Sequence, residues 1–318
     1  MAMLAAAQRG AAALGRRTFM AGSGNTMSVL GAPSNLGQRN DSPAHGPASL
    51  RDVGILENLR SIGWAVNDRG DIPFTPKAGT DSETMELIAR GNKLLSDEVA
   101  DAYLESDTTL ILGGDHSVSI GSVSGVLRRN PDIGVLWVDA HCDINTPASS
   151  PSKNIHGMVL SYLMKLFPTV TNPPFDWLTE IPKLHPAQLA FIGARDIDPA
   201  ERTMLKNLGI TCFTMHSIDK YGIGKVTEMA LDHLDGRNLH VSYDIDATDP
   251  GIAPSTGTPV RGGLTYREAH YIAEEIASTG MMRSMDMVEV DPYLSAGGSD
   301  TVELAAALVS SAFGQRII

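Results

Sequence analysis

Short runs of consecutive apolar residues alternate along the chain with longer stretches in which apolar positions recur every three or four residues. The short runs are Ser28–Gly31, Thr109–Leu112, Ile133–Val138, Leu189–Ile192, Cys212–Thr214, Leu239–Val241 and Met282–Val288. A strand buried on both faces sends alternate side chains into two cores, so it reads as a near-continuous apolar run. Helical periodicity marks Met85–Leu104, Lys225–Leu234, Arg267–Ser278 and Thr301–Phe313. Strands alternating with helices predict an α/β fold built on a mostly parallel sheet covered on both sides. The Pro-, Gly- and Ser-rich stretches Ala32–Ser49, Pro147–Gly157 and Thr171–Pro182 read as loops of one domain.

Composition narrows the class. In 318 residues, 42% are hydrophobic and 19% charged, enough apolar material for a sizeable core. No stretch approaches 18 consecutive apolar residues, which argues against a membrane span. A net charge of −12 argues against a general nucleic-acid binder. Two cysteines, Cys142 and Cys212, are too few for a disulfide scaffold or a thiolate zinc cage.

Residues 1–26 differ from the rest. Met1–Thr26 carries Arg9, Arg16 and Arg17 among many alanines, and the first carboxylate in the chain is Asp41. An Arg-bearing, acid-free start is the composition of a mitochondrial presequence, predicting the matrix as destination. The alternative is a disordered extension on a cytoplasmic protein. Arg16-Arg17 superficially resembles an export signal, but the apolar run such a signal needs does not follow.

The polar residues gather at predicted strand ends. Gly113-Gly114-Asp115-His116-Ser117 follows one strand, Asp139-Ala140-His141-Cys142-Asp143 the next, and Arg195-Asp196-Ile197-Asp198 another. Asp244-Ile245-Asp246 and Glu289 close two more. Open parallel sheets bind ligands at the carboxyl ends of their strands, so these segments are expected to converge. Extended backbone sends residues two apart to one side, so Asp139, His141 and Asp143 share a face, as do Asp244 and Asp246. Four carboxylates packed together cannot all stay ionised without cations. Two divalent metals would supply the missing charge, and carboxylate with imidazole suits manganese better than thiolate-preferring metals. The pattern predicts a two-metal hydrolase. Singly, each residue has a blander reading, since a lone Asp after a strand is commonly a cap or turn residue. His45, His185, His216, His233, His240 and His270 keep that structural reading.

The segments Gly113–Ser117, Asp139–Asp143 and Ser242–Asp246 resemble the three signatures of the ureohydrolases, the arginase and agmatinase family. The resemblance runs from about Met27 to about Gln315. Asp143–Pro147, Asn154–Gly157, Thr256–Val260 and Gly263–Glu268 bring it nearest to the eukaryotic arginases. It implies a single domain over 27–318, a three-layer α/β/α fold with an eight-stranded sheet, and a homotrimer. Transferred onto this chain, one Mn²⁺ would be held by His116, Asp139, Asp143 and Asp244. A second Mn²⁺ would be held by His141, Asp139, Asp244 and Asp246, with Asp139 and Asp244 bridging. Asp115 would be an outer partner of the ligands.

The implied reaction converts L-arginine to L-ornithine and urea by attack of a metal-bridging hydroxide on the guanidinium carbon. Glu289 would pair with the guanidinium, Asp143 would orient the nucleophile, and His156 would carry a proton to the leaving amine. Asn145, Ser152 and Asn154 would meet the substrate carboxylate and Asp198 its α-ammonium, with Glu201 and Thr258 nearby. The alternative is a relative acting on agmatine or another guanidino or formimino compound. A silent binding subunit of the same fold would show lost ligands, and none is lost.

Overall fold

The computed structural model describes residues 25–76, 80–234 and 236–316. The chain opens with strand β1 (Thr26–Ala32), helices α1 (Gly46–Asp52) and α2 (Ile55–Ser61), strand β2 (Ala65–Asp71) and helix α3 (Asp81–Glu105). It continues through β3 (Thr108–Gly113), α4 (Ser119–Arg129), β4 (Gly134–Val138), α5 (Val159–Leu163), β5 (Leu189–Ala194) and α6 (Pro199–Leu208). Then come β6 (Thr211–Thr214), α7 (Met215–Tyr221), α8 (Ile223–His233), β7 (Leu239–Asp244), α9 (Tyr266–Thr279), β8 (Met282–Val288) and α10 (Gly298–Ala312).

The strands form one eight-stranded sheet in the order β2-β1-β3-β8-β7-β4-β5-β6. Every pairing is parallel, so the fold is more uniform than the mostly parallel sheet expected from sequence. Alternation along the strands explains the three layers. Leu110, Leu112, Leu136, Val138, Ala190 and Ile192 enter one core, against α1, α2, α8, α9 and α10. Ile111, Val135, Trp137, Leu189 and Phe191 enter the other, against α3, α4 and α5. Both sets of side chains are apolar, which is why these strands read as unbroken runs.

Two of the elements that reading did not single out, β2 and α4, are built in opposite ways. β2 (Ala-Val-Asn-Asp-Arg-Gly-Asp) is an edge strand with largely exposed side chains and no apolar stripe. Its charges occupy the open edge: Arg51 pairs with Asp68 at 2.9 Å and Asp71 at 2.6 Å, and Arg69 with Glu98 and Glu105. Charged edge residues guard an open sheet against pairing with another chain. Helix α4, by contrast, is almost wholly buried but built from Ser, Gly and Val. Gly121 and Gly125 let its backbone lie on α3: a Cβ at either would sit 2.6 Å from the Asn92 or Ser96 carbonyl oxygen. Its Ile120, Val123, Val126 and Leu127 recur at helical spacing and join the second core, while its small residues allow the close helix packing.

Other expectations shift at their margins. The stretch Ala32–Ser49, read as loop, contains a 3₁₀ turn at Ser42–His45 and the start of α1, each with a proline in its first turn. Short 3₁₀ turns also occupy Asp176–Glu180 and Ile155–Met158 within or across the other two proline-rich stretches. The expected leader lies outside the described residues except for its end, where Thr26 opens β1 and its backbone N–H donates to Asp107.

The α3–α4 contact yields a direct test. Gly125→Val should overpack it and cost about 1–3 kcal/mol, read as a fall of a few degrees in Tm. Gly157→Ala, where nothing lies within 4 Å of the added carbon, should leave Tm nearly unchanged. Equal Tm values for the two variants would show that the helices have slack.

Candidate metal centre

Neighbouring strands β3, β8, β7, β4 and β5 are parallel, so their carboxyl ends lie along one edge. The turns after them deliver the polar residues. His116 stands in a 3₁₀ turn after β3, Asp139 to Asp143 leave β4, Asp244 and Asp246 leave β7, and Glu289 follows β8. Residues 173 positions apart in sequence thereby touch: the His116 backbone N–H donates to Glu289 Oε1 at 2.8 Å.

The acidic and imidazole groups form two sets. His116, Asp139 and Asp244 make one; Asp139, His141 and Asp246 make the other, each with its ligand atoms within 4.8 Å of one another. His116 Nδ1 lies 3.2 Å from Asp139 Oδ2, 3.0 Å from Asp143 Oδ2 and 3.1 Å from Asp244 Oδ2. His141 Nδ1 lies 3.4 Å from Asp139 Oδ1 and 3.2 Å from Asp246 Oδ2. Asp139 belongs to both sets, as a bridging carboxylate would.

Secondary contacts hold the donor atoms in place. His116 is stacked on Trp137 at 4.3 Å between ring centres, and its Nε2 is 2.8 Å from Ser242 Oγ, leaving Nδ1 for the acids. The Trp137 indole N–H donates to Asp139 Oδ2 at 2.9 Å, and the His141 backbone N–H donates to Asp139 Oδ1 at 2.6 Å. The Asp246 N–H donates to Asp244 Oδ1 at 2.9 Å, while Asp246 accepts from the Ala140 N–H and the Thr258 hydroxyl. Partners that orient a ligand in this way are typical of metal sites.

The electrostatics call for positive charge. Burial and the neighbouring Asp139 charge push the Asp143 carboxyl up to about 6. Burial, with the Asp246 and Asp139 charges, pushes Asp244 well above the carboxylate range. Burial alone would lower the imidazole of His116, yet Asp139, Asp143 and Asp244 around it hold it well above its ordinary value. Arg195, a half-buried cation nearby, faces backbone instead: it donates to the carbonyls of Gly193, Asp246, Ala247 and Val260. With hard carboxylate oxygens and two imidazoles, the donor set fits two divalent cations.

A cleft of about 150 Å³ opens beside the two sets, lined by His141, Asp143, Asn145, Ser152, His156, Asp198, Glu201, Asp244 and Thr258 among others. That is below the few hundred Å³ of a drug-sized pocket and suits a small metabolite. Asn145 Nδ2 donates to Asp198 Oδ2 at 2.9 Å, so the two residues expected at the substrate's amino-acid end already touch. Asn154 is not among the cleft's lining residues and starts the 3₁₀ turn that carries His156. Glu201 is more constrained than expected: its two oxygens accept the N–H groups of Ile144 at 3.1 Å and Asp198 at 3.0 Å. Burial raises its carboxyl to about 7. His156 Nδ1 is 3.0 Å from Glu289 Oε1. Burial would lower that imidazole, but the Glu289 carboxylate prevails and raises it to about 9.

Asp143 (φ 46°) and Glu289 (φ 61°) both adopt left-handed backbone without being glycine. Such conformations cost energy and persist where the surroundings enforce them, commonly at functional sites. Sequence reasoning missed Ser150, Asp196 and Gly157 in the cleft wall, and Gln38 against Glu289. Asp196 was visible as part of the strand-end segment; nothing marked Gln38.

The Arginase family model matches residues 25–314. The chain is 43% identical to human "Arginase-2, mitochondrial" over 304 residues, covering 92% of this chain and 85% of that protein. It is 41% identical to mouse Arginase-1, covering 92% and 93% of the two chains. The crystal structure of Bacillus subtilis arginase superposes with a TM-score of 0.85 at 37% identity, covering 92% of this chain and 100% of that one. That of Entamoeba histolytica arginase in complex with L-ornithine gives 0.85 at 28% identity, covering 93% and 100%. By its match to the family model, by its sequence identity to arginases and by the superposition of its fold, the chain belongs to the arginase family.

Proposed function

We propose that this chain hydrolyses L-arginine to L-ornithine and urea with two Mn²⁺ ions. His116, Asp139, Asp143 and Asp244 would hold one ion, and His141, Asp139, Asp244 and Asp246 the other. The observation that carries the reading is the pair of His–carboxylate sets sharing Asp139 beside a cleft whose wall holds Asp198 and Asn145. Two bound cations supply hydroxide at neutral pH by lowering the pKa of water.

The chain's own groups do the rest. Glu289, buried and carboxylate-bearing, pairs with the guanidinium N–H groups and fixes the carbon to be attacked. Asp143 accepts a hydrogen bond from the attacking oxygen and so aims its lone pair. The leaving amine needs a proton, and His156, raised to about 9, carries one at neutral pH. It sits on Glu289, within reach of whatever Glu289 holds. At the far end of the substrate, Asp198 receives the α-ammonium, while Asn145 and Ser152, both in the cleft wall, donate to the carboxylate. Asn154, which does not line the cleft, would have to turn towards it to join them. Glu201 and Thr258 act at one remove. Glu201 ties the Ile144 backbone to the start of α6, and Thr258 holds Asp246.

A homotrimer and import into the mitochondrial matrix complete the proposal. The first rests on the family, the second on the Arg-bearing leader composition and on the mitochondrial name of a close relative.

Urea release from L-arginine and from agmatine, with Mn²⁺ and after chelation, tests the reaction. Metal-dependent release from arginine alone is expected; release from agmatine instead would overturn the assignment of the substrate's amino-acid end. Asp198→Ala removes one charge-assisted contact, so kcat/KM for arginine should fall about 10- to 100-fold. Calorimetric titration of chelated protein with Mn²⁺ should give two sites, and His116→Ala or Asp246→Ala should lose one. Bound ions should also raise Tm by relieving carboxylate repulsion. A Tm indifferent to Mn²⁺ would refute the ligand assignment.

A further inference from the structure

Beneath the cleft lies a pairing that the strand-end motifs do not announce. Gln38, in the segment after β1, is only 5% exposed. Its side-chain amide donates to Glu289 Oε2, 251 residues away in sequence. A carboxylate only accepts, so the atom facing it is the amide nitrogen.

The segment that carries Gln38 is itself fastened. Asp115 Oδ2 accepts the Gly37 N–H at 3.0 Å and the Ser34 hydroxyl at 3.2 Å, and the Asp115 N–H donates to the Ser34 carbonyl at 2.8 Å. The Gly37 carbonyl in turn accepts the His156 N–H at 3.2 Å. Behind the amide stands Gly257: a Cβ there would lie 2.5 Å from Gln38 Oε1. Gln38 is thus held between the Gly257 backbone and Glu289.

Lone-pair arithmetic shows what this holding does. A carboxylate offers about four acceptor positions, two on each oxygen. Gln38 occupies one on Oε2; on Oε1 the His116 N–H occupies one and the His156 imidazole the other. A guanidinium bound through two parallel N–H groups needs one position on each oxygen. Oε2 already has one to spare, and Oε1 gains one when the imidazole turns away.

We propose that Gln38 is a positioning residue for guanidinium recognition, locking the rotation of the Glu289 carboxylate so that one acceptor on each oxygen faces the substrate while His156 yields its place on Oε1. This rests on Glu289 being the guanidinium partner, as set out above. Gly257, through its lack of a side chain, belongs to the same device.

The test uses the Mn²⁺-loaded full chain. Gln38→Met keeps the length of the side chain and removes the donor, so kcat/KM for L-arginine should fall about 10- to 100-fold, the scale of one hydrogen bond to a charged group. The inhibition constant of L-ornithine, which has no guanidinium, should stay within twofold, as should Mn²⁺ content. Gly257→Ala should lose a similar factor by displacing Gln38, and the double variant should lose no more than the worse single one. Unchanged kcat/KM in Gln38→Met, fully additive losses, or an equal loss of ornithine binding would each overturn the proposal. If the unsubstituted enzyme hydrolyses arginine, such a failure touches Gln38 alone; an enzyme silent on arginine would remove the reading of Glu289 as well.

Discussion

Mutual repulsion among Asp139, Asp143, Asp244 and Asp246 is the constraint to which the rest of the molecule answers. All four are buried, and burial strengthens the repulsion between like charges. Such a group persists only if something rigid holds it and something positive joins it. Rigidity comes from the sheet, whose central strands run in parallel register and end together. It is reinforced by backbone N–H groups of His141, Ala140 and Asp246, each donating to a carboxylate of the set. Positive charge would come from the cations that these carboxylates and the two imidazoles are arranged to hold.

That arrangement separates the roles of strongly polar neighbours. Arg195 is close enough to be drawn by the acidic field, yet its guanidinium is spent on four backbone carbonyls, tying the Asp246 turn to Val260. It braces the turn without neutralising the ligands, so their oxygens remain open to metal. Asp115 similarly keeps out of the ligand set and fastens the segment that carries Gln38. Positioning and ligation are thus assigned to different side chains.

Much of this was legible in the sequence because the physics is local. The ligand residues appear as Asp-x-His-x-Asp and Asp-x-Asp at strand ends, where a two-residue repeat puts them on one side. The buried strands announce themselves because both their faces meet a core. β2 did not, since an edge strand carrying Asp68, Arg69 and Asp71 has no apolar stripe to show. α4 combines both signals: Ile120, Val123, Val126 and Leu127 recur at helical spacing, while Gly121 and Gly125 serve backbone contact with α3. Gln38 was invisible for a different reason. Its meaning comes entirely from Glu289, and an isolated glutamine in a proline-bearing loop follows no period.

The sheet order has a consequence for how the molecule comes into being. β8, encoded near the end of the chain, occupies the middle of the sheet between β3 and β7. Until it inserts, those two strands lack the partner that aligns them, and both present open hydrogen-bonding edges. The His116 and Asp244 turns are then not held opposite each other, and Glu289 has yet to arrive. A chain that ends before β8 therefore leaves both of these edges unpaired, the kind of surface that favours association with other chains. The His116 set and the Glu289 contact are therefore completed only when β8 joins the sheet, whereas Asp139, His141 and Asp246 sit at the ends of the directly paired β4 and β7.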